Sequence, residues 1–155
     1  MDRGQTQRSL LDHSNERQLD RIAVKIEAAA AGSLTGKTVA VWGLTFKAGT
    51  NDLRSSPSLA VIERLEQRGA KVVAYDPAAA GVVPGIAVTA DPYSACRSAD
   101  VLVVLTEWPE FVDLDFRKVR ELLARPSIVD TRNLLPQDTM LAHGFHYERV
   151  GRPRL

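Results

Sequence analysis

The run Thr38-Val39-Ala40-Val41-Trp42, closed by Gly43, does most to restrict what this chain can fold into. A strand with one wet face alternates apolar and polar residues. A continuous β-branched apolar run has no wet face, and it suits a parallel strand covered by helices on both sides. Val101-Leu102-Val103-Val104-Leu105 is a second such run, more apolar still, and predicts a central strand. Between them, Ser56-Pro57 reads as a helix start, with Ser as N-cap and Pro at the first helical position. Leu59, Ile62 and Leu65 continue that helix and Gly69 stops it. Lys71 to Tyr75 then forms a strand that ends at Asp76-Pro77, which completes a βαβ unit with a right-handed crossover.

The alternation persists toward the C-terminus. Ile86 to Val88 predicts a short strand, and Asp91-Pro92 opens a short helix through Arg97. A helix over Asp115 to Ala124, a strand over Ser127 to Asp130, a helix over Pro136 to Leu141 and an edge strand over Phe145 to Glu148 follow. The fold class is therefore α/β: a doubly wound, mostly parallel, Rossmann-like sheet with helices on both faces. One amphipathic helix precedes it. Leu19, Ile22, Ala23, Ile26 and Ala30 recur at three- and four-residue steps among charged residues, with Ser14 or Asn15 as N-cap and Gly32 at the end. Residues 1–14 have no clear period and read as a flexible lead-in.

Ligands of such sheets bind outside the carboxyl ends of the strands, near the point where strand order reverses. That rule selects Gly43 to Arg54, Asp76, Thr106 to Trp108, and Asp130 to Asn133. The first loop carries Lys47 and Arg54, and the last brings Arg132 to the same end of the sheet. The helix starting at Pro57 should offer free N–H groups beside them, so a phosphate-bearing ligand would meet both cations and oriented donors. The plain alternative is that these are solvated loop charges. Asp76 could bind ribose hydroxyls, but Pro77 follows at once, and a turn or capping role is preferred. Trp108 can stack on a ring or simply cover the sheet edge.

Several classes are excluded. Lys and Arg number 20 against 19 Asp and Glu, a net charge of +1, whereas nucleic-acid-binding modules usually carry a marked basic excess. No apolar run approaches the ~20 residues that span a bilayer. The first residues have no secretory apolar core. The single cysteine, Cys96, allows no internal disulfide and no cysteine-based zinc site, so a cytoplasmic location is expected. His13, His143 and His146 are scattered, no spacing supports a metal site, and no catalytic set is visible. Cys96 reads as a small buried hydrophobe. The glycines of the first loop fit neither the dinucleotide fingerprint nor a Walker A loop.

Gly36-Lys37-Thr38-Val39-Ala40-Val41-Trp42-Gly43-Leu44-Thr45-Phe46-Lys47, followed by Thr50-Asn51-Asp52-Leu53-Arg54-Ser55-Ser56-Pro57, closely resembles the UDP-glucose/GDP-mannose dehydrogenase family, whose pattern is Gly-Leu-x-Phe-Lys and then Thr-x-Asp-x-Arg-x-Ser-Pro. Tyr75-Asp76-Pro77, Thr106-Glu107-Trp108, Asp130-x-Arg132-Asn133 and Gly144-Phe145-x-Tyr147 extend the resemblance. It implies that residues 36–152 form a nucleotide-sugar-binding C-terminal domain. It also implies that the helix over 15–32, with Asn15-Glu16-Arg17-Gln18, is similar to the end of a central dimerisation domain. The reaction implied is NAD-linked oxidation of a sugar C6 alcohol to a carboxylate through a thiohemiacetal, giving a UDP-uronate. By match of motif, Lys47 and Arg132 fall to the UDP-sugar and Arg54 to the pyrophosphate of NAD, which an N-terminal domain would mainly bind. The glycine-rich motif of the catalytic cysteine has no counterpart here, so this chain alone is expected to be inactive. Partners implied are a UDP-sugar and either a homodimer or the other enzyme domains. An alternative is a stand-alone, non-catalytic interaction or regulatory domain, associating through an exposed stripe of Leu19, Ile22 and Ile26.

Overall fold

The computed structural model describes residues 3–45, 56–78, 83 and 85–150, with side chains from residue 16 onward. Its core is a six-stranded sheet of β1 (Thr38–Trp42), β2 (Lys71–Tyr75), β3 (Ala87–Val88), β4 (Val101–Val104), β5 (Ser127–Asp130) and β6 (His146–Arg149). The order is β3-β2-β1-β4-β5-β6, and every neighbouring pair runs parallel. This is the order of a doubly wound dinucleotide-type sheet, with its switch point between β1 and β4. The two runs that carry no polar alternation are thus the two central strands.

Successive side chains of a strand point to opposite faces, and the core divides accordingly. Val39, Val41, Val101 and Val103 pack on one side under α1 (Arg3–Ala29) and α2 (Pro57–Gln67). Ala40, Trp42, Leu102 and Val104 pack on the other. Covering that second side are α3 (Pro92–Cys96), α4 (Phe116–Leu122), α5 (Gln137–Ala142) and a single-turn 3-10 helix, Pro109–Asp113. Trp42 lies at its centre, its ring 5.2 Å from that of Phe111, its indole N–H donating to the Pro92 carbonyl at 3.1 Å.

Local chemistry explains the helix starts. Ser56 caps α2 and Pro57 opens it; Asp91 caps α3 through a 2.9 Å bond from the Ser94 N–H; Asp115 caps α4 through a 3.1 Å bond from the Lys118 N–H. Hydrogen bonds from Ser94, on the side chain first and then the backbone, hold the Asp91 carboxyl below its usual range.

Two expectations change in the N-terminal helix. It begins at Arg3, within the stretch expected to be a flexible lead-in, so neither Ser14 nor Asn15 is its N-cap. It ends at Ala29, before a turn in which Ala31 and Gly32 take φ of 72° and 90°. The stripe expected to stand exposed is buried: Leu19, Ile22 and Ile26 pack into the same core as α2 and the sheet. Polar contacts fix the helix further. The Ser127 hydroxyl donates to the Ala29 carbonyl at 2.9 Å, the Arg64 guanidinium to Asp20 at 2.8 Å, and Lys25 to the Arg149 carbonyl at 2.9 Å. α1 is therefore a layer of this domain rather than a surface left uncovered. No described helix is long and apolar enough to cross a membrane.

Candidate ligand site at the carboxyl ends of the strands

The loops selected by the switch-point rule meet at one end of the sheet, and two buried carboxylates organise them. Asp76, 2% exposed, follows β2. Its Oδ2 accepts from the Leu44 N–H at 2.6 Å, the Thr45 N–H at 3.1 Å, the Thr45 hydroxyl at 3.2 Å and the Trp108 indole N–H at 3.2 Å. Its Oδ1 accepts from the Ala78 N–H at 2.7 Å. One side chain therefore ties the loops after β1, β2 and β4. The turn role preferred for Asp76 is the one the structure shows, and Trp108 is the indole that caps it. The donors come from the protein itself, so in this arrangement the carboxylate holds the loops.

Asp130, wholly buried at the end of β5, does the same for the next loop. Its Oδ1 accepts from the Arg132 N–H at 3.0 Å. Its Oδ2 accepts from the Leu134 and Leu135 N–H groups at 2.9 and 2.8 Å and from the Tyr147 hydroxyl at 2.7 Å. Burial, and then the bond to Asp130, pushes the Tyr147 phenol far above its ordinary value. Asn133, at φ 54°, completes the turn, and its Oδ1 is buried without a hydrogen-bond partner. Sequence reasoning placed Asp130 in the site but missed this anchoring role. The signal was available: both acids stand at the carboxyl end of an apolar strand, immediately before a turn.

At the switch point the loops after β1 and β4 touch. Gly43 takes φ of +103°, and a Cβ there would lie 2.5 Å from the Thr106 Cβ and 2.6 Å from its backbone nitrogen, so only glycine fits. The Thr106 hydroxyl donates to the Thr45 carbonyl at 3.1 Å and lies 3.5 Å from the Ser58 hydroxyl. Among the described residues, Asp76 is engaged in holding the loops together.

Beside this contact lies a cleft of about 240 Å³ between the start of α1's described face, the start of α2 and the ends of β4 and β5. Gln18, Ser58, Thr131 and Arg132 give it polar groups, and Leu19 and Val61 form part of its apolar wall. Arg132, 43% exposed at its side chain, forms an ion pair through Nε with Glu107. Of the three cations expected to converge, Arg132 is the one the structure places; Lys47 and Arg54 lie outside the described residues. The expectation of free N–H groups at α2 is corrected. Pro57 has none, that of Ser58 goes to the Ser56 hydroxyl at 3.2 Å, and that of Leu59 goes to the Ser56 carbonyl at 3.2 Å. The N-cap satisfies the donors that an anion would need, so what the helix end offers is its dipole and the Ser58 hydroxyl.

Cys96 is fully buried, and burial pushes its thiol up to about 12, so at neutral pH it is a protonated, inert side chain. His143 and His146 stand away from the site, against Phe116 and Glu148 respectively.

A family model described as "UDP-glucose/GDP-mannose dehydrogenase family, UDP binding domain" matches residues 40–137, which include the end of β1, all of β4 and β5, and their following loops. The chain is 41% identical over 143 residues to a UDP-glucose 6-dehydrogenase of Rhizobium meliloti (strain 1021), covering 90% of this chain and 33% of that one. It is 42% identical over 145 residues to the UDP-glucose 6-dehydrogenase TuaD of Bacillus subtilis (strain 168), covering 90% and 31%. It thus spans about a third of the length of the curated relatives it matches. Among solved structures it is similar to an NDP-N-acetyl-D-galactosaminuronic acid dehydrogenase from Methanosarcina mazei Go1, with a TM-score of 0.74 and 26% identity over 86% of this chain and 28% of that one. A UDP-glucose dehydrogenase from Pyrobaculum islandicum gives a TM-score of 0.64 and 28% identity over 84% and 29%.

Proposed function

Because the chain belongs to the UDP-glucose/GDP-mannose dehydrogenase family, through its UDP-binding domain, we propose that its cleft rim binds the diphosphate of a UDP-sugar. The observation that carries this reading is the span of the family match, which takes in the sheet end where Asp76 and Asp130 fix the loops and where Arg132 faces a cleft. Arg132 supplies a planar, permanently charged group suited to phosphate oxygens. Lys47, by its place in the Gly-Leu-Thr-Phe-Lys motif, supplies a second positive charge.

The proposal extends to the reaction served. The domain presents the nucleotide end of the sugar to an NAD-dependent oxidation of C6 in the cytoplasm, giving a UDP-uronate for polysaccharide synthesis. The nucleophilic cysteine and the main NAD site belong to parts of the relatives that these residues do not match. Arg54 is assigned to the NAD pyrophosphate on motif grounds, reaching it from across a domain boundary. Association with those domains or with a second copy would proceed through surfaces other than the buried face of α1.

Calorimetric titration of the chain with UDP and UDP-glucose tests the reading. Saturable binding is expected, and Lys47→Ala should weaken it by roughly tenfold, the loss of one charge-assisted phosphate contact. Absence of binding heat at millimolar nucleotide, with the protein shown to be folded, would overturn it.

A further inference from the structure

Glu107 is an odd residue to find at a rim meant for a diphosphate, because its carboxylate should repel the ligand. It nonetheless pairs with Arg132, the one cation of the rim that the structure places. We propose that Glu107 is a positioning residue for Arg132: it holds the Nε edge of the guanidinium and leaves the remaining N–H donors to the anion in the cleft. This rests on the diphosphate reading above.

The backbone around both partners is fixed. Thr106, just before Glu107, is held through its hydroxyl to the Thr45 carbonyl, and Trp108, just after it, through its indole to Asp76. On the other loop, the Thr131 hydroxyl donates to the Val104 carbonyl at 2.7 Å and the Arg132 N–H to Asp130 at 3.0 Å. The ion pair thus joins two anchored segments that follow neighbouring strands, β4 and β5. Arg132 lines the cleft and Glu107 stands outside that lining, so the carboxylate grips the arginine from behind rather than occupying the ligand's place. An arginine has five N–H donors. One carboxylate at Nε leaves the other donors for a second oxyanion. Freezing a long side chain in advance removes an entropy loss from the binding step.

The prediction is a loss of affinity on removing a negative charge from beside an anion site, the reverse of what simple Coulomb repulsion gives. Glu107→Ala should weaken UDP binding about two- to tenfold, the range set by ordering one rotamer-rich side chain. Glu107→Gln keeps an acceptor for Nε and should restore wild-type binding or better. In an Arg132→Ala background, Glu107→Ala should have no further effect. Calorimetry with UDP on the wild type and the four variants reads this, and a thermal melt checks that each is folded. Glu107→Leu, of similar size but without an acceptor, replaces the alanine variant if that variant unfolds. Unchanged or tighter binding by Glu107→Ala, or a loss that persists without Arg132, overturns the positioning role while the diphosphate reading stands. Wild-type protein that binds no UDP overturns both.

Discussion

At the scale of single residues, two buried carboxylates set the shape of the site, and their value lies in the number of donors each receives. Asp76 receives bonds from segments after three different strands. Exchanging it for asparagine swaps one accepting oxygen for an NH2 group, so at least one buried N–H would face another donor. A buried donor without a partner costs about 1–3 kcal/mol, so Asp76→Asn should destabilise the fold by at least that much, read as a lower urea midpoint. A variant as stable as the wild type would mean that the loops after β1 and β4 are held by something else. Asp130 and Tyr147 give a pH test. The phenol's folded pKa is raised above its ordinary value, first by burial and then by Asp130. Stability from this group is therefore full below pH 10 and falls as pH rises beyond it, because the unfolded chain releases the proton first. Tyr147→Phe should lower stability at neutral pH by about 1.5–3 kcal/mol, the range for a bond to a charged acceptor, and flatten the alkaline limb. Parallel alkaline slopes for the two proteins would argue against the assignment. Tyr75 is shifted in the same direction, chiefly by burial, so the comparison must be made between variants rather than from one profile.

At the scale of elements, α1 carries the largest correction. Its stripe of Leu19, Ile22 and Ile26 has the spacing of any amphipathic helix, and spacing identifies a face without identifying what covers it. Ile26, wholly buried under the sheet, should lose about 2–5 kcal/mol on exchange for alanine. Val24, 53% exposed on the opposite face, should change stability by less than about 0.5 kcal/mol. Equal effects at the two positions would mean that α1 is not packed as the structure has it. The central strands β1, β4 and β5 were legible to within a residue or two because a run buried on both faces has no other home, and Ser56, Asp91 and Asp115 marked helix starts through local hydrogen bonding. Much of what escaped the sequence depends on pairs distant along the chain. The Glu107–Arg132 pair and the donors around Asp76 exist only once the loops are brought together. The 3-10 turn Pro109–Asp113 was missed for a different reason: a single turn is too short to show a period. Residues 3–14 lacked an apolar period, yet a helix already nucleated downstream extends through them at small further entropy cost per residue.

At the scale of the whole molecule, the proposed binding role and the chemistry implied by the family can be tested apart. The reaction implied by the family requires a thiolate nucleophile and a dinucleotide site. The sole cysteine of these residues is Cys96, sealed beneath Trp42 on the α3 side of the sheet with its thiol pushed up to about 12. At neutral pH such a group is held as the neutral thiol. Asp76, at the end of β2, is engaged by donors from the protein itself. The chain supplied with NAD and UDP-glucose should therefore form no NADH, monitored by absorbance, under conditions where calorimetry registers UDP. Cys96→Ala should leave the nucleotide titration unchanged. Rapid NADH formation by this chain would require that a nucleophile other than a neutral, buried thiol act on the sugar. The assignment of this domain to nucleotide binding alone would then be wrong. Full activity regained on adding the remaining two-thirds of a relative's chain as a separate polypeptide would instead place the missing chemistry there. It would also show that the rim of Arg132 and Lys47 is competent to present its ligand across a non-covalent boundary.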